Sequence, residues 1–257
     1  MGRTALDHIM HDRERTPRTQ GFAGYPGGFG SHKIRSTGMT ELACDALVFD
    51  LDGVLVDSAS CIERHWRRWA SGHGLDGDAV MRLTHGRPTV DTIRLAAPHL
   101  PAEAEATRLN AWEASDADGV AEVEGAVHLV CSLPSNAWAI ATSGTRETAL
   151  TRLQRFGFTL PTVLVTADDI TRGKPSPDVF LLAAARLDVP PMYCVAVEDT
   201  PAGISAARAA GMRVIGLATT HPQADLKEAH ARTDRLQNIQ VSINAIGVGS
   251  RLTVHIT

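Results

Sequence analysis

The sequence has few cysteines, few aromatic residues and little net charge. Its four cysteines, Cys44, Cys61, Cys131 and Cys194, are far apart, and neither Cys-x-x-Cys nor His-Glu-x-x-His occurs, which argues against zinc or dithiol chemistry. We expect free thiols in a reducing cytoplasm. No run of about 18 apolar residues is present, so we expect no membrane partner. The formal net charge of -4 provides no general electrostatic basis for binding nucleic acid.

The first part of the chain is rich in glycine and arginine and poor in apolar residues. This composition predicts a flexible N-terminal extension over residues 1–39. Translation from Met39 would account for it. A cleaved targeting peptide is the less favoured alternative, because Asp7, Asp12 and Glu14 interrupt the segment.

After residue 40 the sequence alternates short apolar runs with helix-like stretches. The runs cover residues 46–50, 137–142, 162–166, 193–197 and 213–217. Each is typical of a strand buried on both faces, and helices are predicted over 146–156, 177–187 and 201–210. The alternation predicts an α/β fold with a Rossmann-like parallel sheet and helices on both faces.

The interval between the first two strands is too long for a single crossover connection. It contains helix-like stretches that begin near Cys61 and Ala102. We therefore predict an inserted α-helical cap over residues 59–122, with the core formed by 40–58 and 123–257. Trp66 and Trp69, three positions apart, are expected to form the packed face of the cap.

Polar residues follow several of the apolar runs, where the carboxyl ends of parallel strands collect ligands. They are Asp50, Asp52, Thr142, Ser143, Gly144, Lys174, Glu198 and Asp199. A carboxylate can attack phosphorus, a divalent cation can neutralise clustered acids, and lysine and hydroxyl groups can hold phosphoryl oxygens. Oxygen ligands favour Mg²⁺. Taken singly, each residue also fits a turn, a helix cap or a solvated charge.

Four short motifs in this order resemble the haloacid dehalogenase superfamily. They are Asp50-Leu-Asp-Gly-Val-Leu-Val-Asp57, Thr142, Lys174-Pro175 and Glu198-Asp199. The resemblance covers roughly residues 43–235, and the core matches better than the cap. It implies a phosphatase of the haloacid dehalogenase (HAD) type.

The resemblance also implies a role for each matching residue. Asp50 would be the nucleophile and a Mg²⁺ ligand, and Asp52 the general acid and base, binding the metal through its backbone carbonyl. Asp199 would complete the metal ligands, with Glu198 in support. Thr142, the backbone of Ser143 and Gly144, and Lys174 would hold the phosphate.

Within the superfamily, residues 85–93, 138–146 and 198–204 are similar to glycerol-phosphate and 2-deoxyglucose-6-phosphate phosphatases. This likeness implies a small sugar or polyol phosphate as the substrate, with His85 and Arg87 as candidate cap contacts. Relatives often carry arginine where this chain has Pro88.

Two alternatives remain open. The core motifs also resemble β-phosphoglucomutase, whose pattern has a cap-linker histidine. This chain has Ile62 at that position, and its nearest histidine is His65. A non-catalytic phosphate-binding module would keep the fold without turnover. The sequence does not determine the oligomeric state.

Overall fold

The computed structural model describes residues 33–34, 39–84, 86–116, 118–246 and 249–257. Of the extension predicted over residues 1–39, all but residues 33–34 and 39 lie outside the described residues, as does His85. Among the described residues, no helix combines the length and apolar character needed to cross a bilayer.

The described part of the chain alternates strands and helices. The strands are β1 Lys33–Ile34, β2 Thr40–Cys44, β3 Ala46–Phe49, β4 Val56–Asp57, β5 Ala121–Glu122, β6 Trp138–Ala141, β7 Val163–Val165, β8 Cys194–Glu198, β9 Arg213–Leu217, β10 Ala231–Thr233, β11 Ile239–Ile246 and β12 Gly249–Ile256. The α-helices are α1 Ala59–Gly72, α2 Gly77–Thr84, α3 Thr89–Ala96, α4 Ala102–Ser115, α5 Ala126–Cys131, α6 Arg146–Arg155, α7 Asp178–Leu187 and α8 Pro201–Ala209.

A parallel sheet in the order β10-β9-β8-β3-β6-β7 forms the centre of the fold. Its central strands are fully buried because apolar clusters cover both faces. Phe49 packs into the cluster that contains Leu153 of α6, whereas Val48 packs on the other side with Phe180 of α7 and Ile204 of α8. The predicted fold class is confirmed.

The loops at the carboxyl ends of the strands lead directly into capped helices. Thr200 accepts a hydrogen bond from the Gly203 backbone N–H at 3.1 Å, and Pro201 occupies the first turn of α8. Thr145 likewise accepts from the Thr148 N–H at 3.3 Å at the start of α6. These caps hold the loops that carry the candidate site residues.

Helices α1 to α4 pack around an apolar cluster of their own, and we call them the cap helices. Trp66 and Trp69 lie edge to face at 5.6 Å between ring centroids, and both are buried with Ile93 and Leu109. Strands β4 and β5 pair where the chain enters and leaves this segment. We propose that residues 59–122 form the cap domain.

A second, antiparallel sheet in the order β1-β2-β12-β11 was absent from the sequence-based prediction. Leu42 of β2 and Leu252 and Val254 of β12 are buried in the same cluster as Phe49. The β11–β12 hairpin depends on β2, about 200 residues away in the chain, for its third strand. Such a distant pairing leaves little local signal in the sequence.

Candidate active site

A cavity of about 310 Å³ opens between the carboxyl ends of the parallel strands and the cap helices. Its core wall contains Asp50, Asp52, Gly53, Thr142, Ser143, Gly144, Asp199, Thr200, Thr219 and Thr220. Its cap wall contains Ile62, Glu63, Trp66, Met81, Thr84, Gly86, Arg87, Thr89 and Glu113. Of the sequence-predicted site residues, Lys174 and Glu198 lie just behind the core wall, where Lys174 contacts both Asp50 and Glu198.

Lys174 joins two buried carboxylates beneath the cavity. Its Nζ lies 2.9 Å from Asp50 Oδ1 and 2.5 Å from Glu198 Oε1. Burial lowers the pKa of Lys174, but the two carboxylates more than offset this and raise it above its usual value. Lys174 therefore stays charged and fixes the position of Asp50.

Glu198 is held by hydrogen bonds on both of its oxygens. Oε1 accepts from Lys174, and Oε2 accepts from the backbone N–H groups of Asp199 and Thr200 at 3.0 Å each and from Thr200 Oγ1 at 3.1 Å. An added Cβ at Gly203 would lie 1.8 Å from Oε1, so α8 also packs closely on this carboxylate. Glu198 is therefore better placed to support Lys174 and α8 than to bind a metal directly.

The acidic residues beside the cavity fit a divalent cation. One carboxylate oxygen from each of Asp50, Glu198 and Asp199 lies within 4.8 Å of the others, and the three residues are buried. Asp199 Oδ1 is buried and makes no hydrogen bond among the described residues. Three acids face one lysine here, so a cation would compensate the excess negative charge.

The pKa values of the carboxyl groups without metal reflect mainly their burial. Burial raises the pKa of Asp50 to about 7, although Lys174 opposes the shift. Burial and the neighbouring Glu198 raise the pKa of Asp199 well above its usual range. A bound cation would favour both carboxylate forms.

Gly53 allows the first strand-end loop to approach Asp199. Its φ of 81° lies in the left-handed region, and an added Cβ would lie 2.1 Å from Asp199 Oδ2. Thr220 Oγ1 donates to the same oxygen, and Thr219 Oγ1 donates to the Gly53 carbonyl. Thr219 and Thr220 follow β9, so applying the strand-end argument to the fifth apolar run would have found them.

The second strand-end loop supplies the other candidate phosphate contacts. Thr142 is buried and accepts a hydrogen bond from the Gly144 N–H at 3.1 Å. Ser143 Oγ donates to the carbonyl of Gly86, which lies in the loop between α2 and α3, at 3.1 Å. The structure thus brings Thr142, Ser143 and Gly144 to the cavity wall beside Asp50, while their roles stay predictions.

Asp52 makes two contacts that sequence reasoning missed. Its Oδ1 accepts a hydrogen bond from Ser58 Oγ at 2.6 Å and another from Nη1 of Arg152. Arg152 Nη2 also lies 3.8 Å from Oε2 of Glu113 in α4, where burial raises the glutamate pKa to about 7 despite the arginine. Ser58 follows the first motif directly, but the burial of Arg152 arises only in the tertiary structure.

The loop between α2 and α3 contacts two loops of the core. Arg87 lines the cavity, and its Nη1 donates to the Leu83 carbonyl at 3.1 Å. Pro88 packs against Gly173, where an added Cβ would lie 2.1 Å from its ring. The Pro88 ring therefore serves packing. Among the described residues that line the cavity, Arg87 is the basic one.

Ile62 and His65, which bear on the mutase alternative, lie in different places. Ile62 lines the cavity. His65 is buried away from it, with Nε2 2.8 Å from Asp116 Oδ2. None of the described residues that line the cavity is a histidine.

Comparisons with known proteins show similarity to one hydrolase family and to named phosphatases. Residues 44–211 match the family model described as haloacid dehalogenase-like hydrolase. Hexitol phosphatase A of Escherichia coli strain K12 is 37% identical over 210 residues, which cover 80% of this chain and 93% of that protein. Glycerol-1-phosphate phosphohydrolase 2 of Saccharomyces cerevisiae is 35% identical over 200 residues, covering 73% of this chain and 80% of the yeast protein.

A relative with a different reaction is also similar. β-Phosphoglucomutase of Bacillus subtilis is 31% identical over 191 residues, covering 69% of this chain and 84% of that protein. The family match spans more than half of the chain and includes the strand-end residues from Asp50 to Asp199. The chain is therefore a phosphatase that belongs to the haloacid dehalogenase-like hydrolase family.

Proposed function

We propose that the protein is a Mg²⁺-dependent phosphomonoester hydrolase that acts on a small sugar or polyol phosphate through an aspartyl-phosphate on Asp50. The observation that carries the proposal is the buried Asp50 carboxylate, which meets Lys174 on one side and the cavity on the other. An ionised, fixed carboxylate at the floor of a cavity can act as a nucleophile.

Asp50, Asp199 and the backbone carbonyl of Asp52 would hold the Mg²⁺ ion. When bound, the cation neutralises the acids and the phosphoryl oxygens and so supplies electrostatic stabilisation. Thr142 Oγ1 and the N–H groups of Ser143 and Gly144 would donate to the phosphoryl oxygens.

The reaction has two steps. In the first, Asp50 attacks phosphorus, the ester P–O bond breaks, and Asp52 gives its proton to the departing alkoxide oxygen. In the second, Asp52 takes a proton from a water molecule, which attacks the phosphorus of the aspartyl-phosphate. The P–O bond to Asp50 breaks, inorganic phosphate leaves, and Asp52 is again protonated.

The residues of the cap wall favour a substrate whose leaving group is uncharged and rich in hydroxyl groups. Ile62, Trp66 and Met81 supply apolar surface, while Glu63 and Glu113 supply carboxylates that can accept hydrogen bonds from hydroxyl groups. The same carboxylates would repel a second phosphate or a carboxylate on the substrate. The relatives named for hexitol and glycerol phosphates agree with this substrate class.

Mutase activity is the alternative within the family. It would need an acid or base on the cap side to move a phosphate between two hydroxyl groups of one sugar. The cap-linker position carries Ile62, and His65 is engaged with Asp116 away from the cavity. These two placements favour hydrolysis.

A reducing cytoplasm is the proposed location. Cys44, Cys61 and Cys194 are buried free thiols, and Cys131 is an exposed one. Unpaired cysteines of this kind are ordinary in reducing compartments.

The proposal is tested by measuring inorganic phosphate released from hexitol phosphates, glycerol phosphates, 2-deoxyglucose 6-phosphate, hexose 6-phosphates and β-glucose 1-phosphate, with Mg²⁺ and with a chelator. Release that needs Mg²⁺ and is lost in Asp50→Asn is expected. Conversion of β-glucose 1-phosphate to glucose 6-phosphate without release would establish the mutase. Phosphate binding without turnover of any substrate would favour the non-catalytic module.

A further inference from the structure

We propose that Arg152 of α6 is a positioning residue that orients the Asp52 carboxylate for proton transfer. This inference rests on the proposed function, because it assigns a task to a residue beside the acid and base of that reaction. Arg152 is outside the residues that line the cavity, so it would act through Asp52 and not on the substrate.

The two carboxylate oxygens of Asp52 lie in different surroundings. Oδ1 accepts from Ser58 Oγ at 2.6 Å and from Arg152 Nη1. Oδ2 lies beside the second strand-end loop. A Cβ atom added to Gly144 would be 3.8 Å from Asp52 Oδ2 and 3.5 Å from Thr142 Oγ1. With Oδ1 engaged, Oδ2 is the oxygen left to exchange a proton with the substrate.

The burial of Arg152 makes this contact a strong restraint. The residue is 4% exposed, and its Nε and Nη2 atoms make no hydrogen bond among the described residues. Burial lowers the pKa of Arg152, but Asp52 and Glu113 raise it above its usual value, so the guanidinium remains charged. Within the described part of the chain, the hydrogen bond of this buried cation goes to Asp52, so the cation is held by that carboxylate and holds it in turn.

The second acidic neighbour of Arg152 comes from the cap helices. Glu113 of α4 places Oε2 3.8 Å from Arg152 Nη2, which is ion-pair distance without a hydrogen bond. Arg152 on the core helix therefore lies between the candidate acid of the core and a carboxylate of the cap. The guanidinium is thus held on one side by its hydrogen bond to Asp52 and attracted on the other by Glu113, which suits a residue that positions Asp52.

The test separates proton transfer from other losses by changing the leaving group. Glycerol 1-phosphate releases an alkoxide that needs a proton, whereas p-nitrophenyl phosphate releases a phenolate that does not. The rate of the first step is measured in single-turnover experiments on the Mg²⁺-loaded, full-length protein. The variants are Arg152→Met, Arg152→Lys and, as a matched control on the exposed face of the same helix, Arg155→Met.

We expect Arg152→Met to slow release of glycerol about 100-fold and release of p-nitrophenolate less than about 10-fold. Arg152→Lys should recover part of the difference, because it restores charge without the planar fork. Arg155→Met should match the wild type on both substrates. Thermal unfolding checks that each variant is folded, and Arg152→Lys alone decides the point if Arg152→Met does not fold.

Equal losses on the two substrates in folded Arg152 variants would overturn the positioning role and leave the proposed function intact. Unchanged rates on both substrates would overturn it as well. Failure of the wild type to release phosphate from these two substrates and from every sugar and polyol phosphate named above would instead overturn the proposed function, and the Arg152 inference with it.

Discussion

The two walls of the cavity are built by different physical means. On the core wall, Asp50 and Asp199 are buried side chains whose positions depend on Lys174 and on close backbone approach at Gly53. On the cap wall, Trp66 and Met81 belong to helices that pack around a separate apolar cluster. Ion pairs and hydrogen bonds hold the first wall, whereas apolar packing shapes the second. We therefore expect substitutions on the core wall to affect mainly the chemistry and substitutions on the cap wall to affect mainly substrate choice.

The largest effect that this contrast predicts comes from removing the charge of Asp50. Asp50→Asn should lower phosphate release by about 10³-fold or more, because the amide is a poor nucleophile. Lys174 keeps its pair with Glu198 in the variant, so thermal unfolding of the metal-free protein at pH 5.5 should change little. Turnover near the wild-type rate in a pure sample would refute the nucleophile.

A smaller loss is expected from adding one carbon atom to the core wall. Gly53→Ala should place a methyl group against Asp199 Oδ2 and force an unfavourable φ, so Mg²⁺ affinity and turnover should each fall about 10-fold or more. Calorimetric Mg²⁺ titration and phosphate release measure the two effects.

Gly74→Ala provides the matched control on the cap. Gly74 has a φ of 68°, and an added Cβ would meet nothing within 4 Å. The variant should lose about 1 kcal/mol of stability and no activity. Equal activity losses in the two alanine variants would show that backbone strain, and not contact with Asp199, matters.

The cap wall should respond with a change in substrate preference. Met81→Ala enlarges the cavity next to the leaving group, so KM for different sugar phosphates should change by up to about 10-fold in different directions. Inhibition by inorganic phosphate should stay the same, because the proposed phosphate contacts lie on the core wall. A matching change in phosphate inhibition would show that the two walls are coupled.

The smallest effect concerns pH and stability without metal. The raised pKa of Asp50, about 7, means that the native state holds this proton more tightly than the unfolded chain does. The associated stability is fully present below the ordinary carboxyl pKa, about 4, and is lost as pH rises to about 7. Differential scanning calorimetry should show a Tm several degrees lower at pH 7.5 than at pH 5.5 for the metal-free protein.

Two controls assign that pH dependence to the core wall. Mg²⁺ should restore Tm at the higher pH, since the cation binds the ionised carboxylates. Asp50→Asn should flatten the dependence, because it removes one of the groups that titrate. A metal-free Tm that is independent of pH in this interval would contradict the buried, uncompensated acids.

The sequence predicted the parallel sheet and the core wall because both leave local signals. Each buried strand is a short apolar run, and most residues of the core wall follow one within a few positions, as Asp50 follows β3 and Asp199 follows β8. Topology then brings the strand ends together without any further information. Such a site can be inferred before any coordinate is known.

The features that were missed depend on contacts between distant segments. Arg152 looks like any surface residue of a polar helix, and only the approach of Asp52 and Glu113 shows that it is buried. The sheet formed by β2, β12 and β11 likewise depends on pairing between the two ends of the described chain. The sequence alone contains no direct signal for such long-range contacts.

The pairing of β12 with β2 has a practical consequence for shortened versions of the gene. Strand β2 runs through Asp45 into β3, whose next residue is Asp50. Deleting the residues from Ile239 onward would remove β12, one of the two strands that pair with β2, and expose Leu42 to water. A cut made far from the cavity in sequence would thereby loosen the strand that leads to its nucleophile.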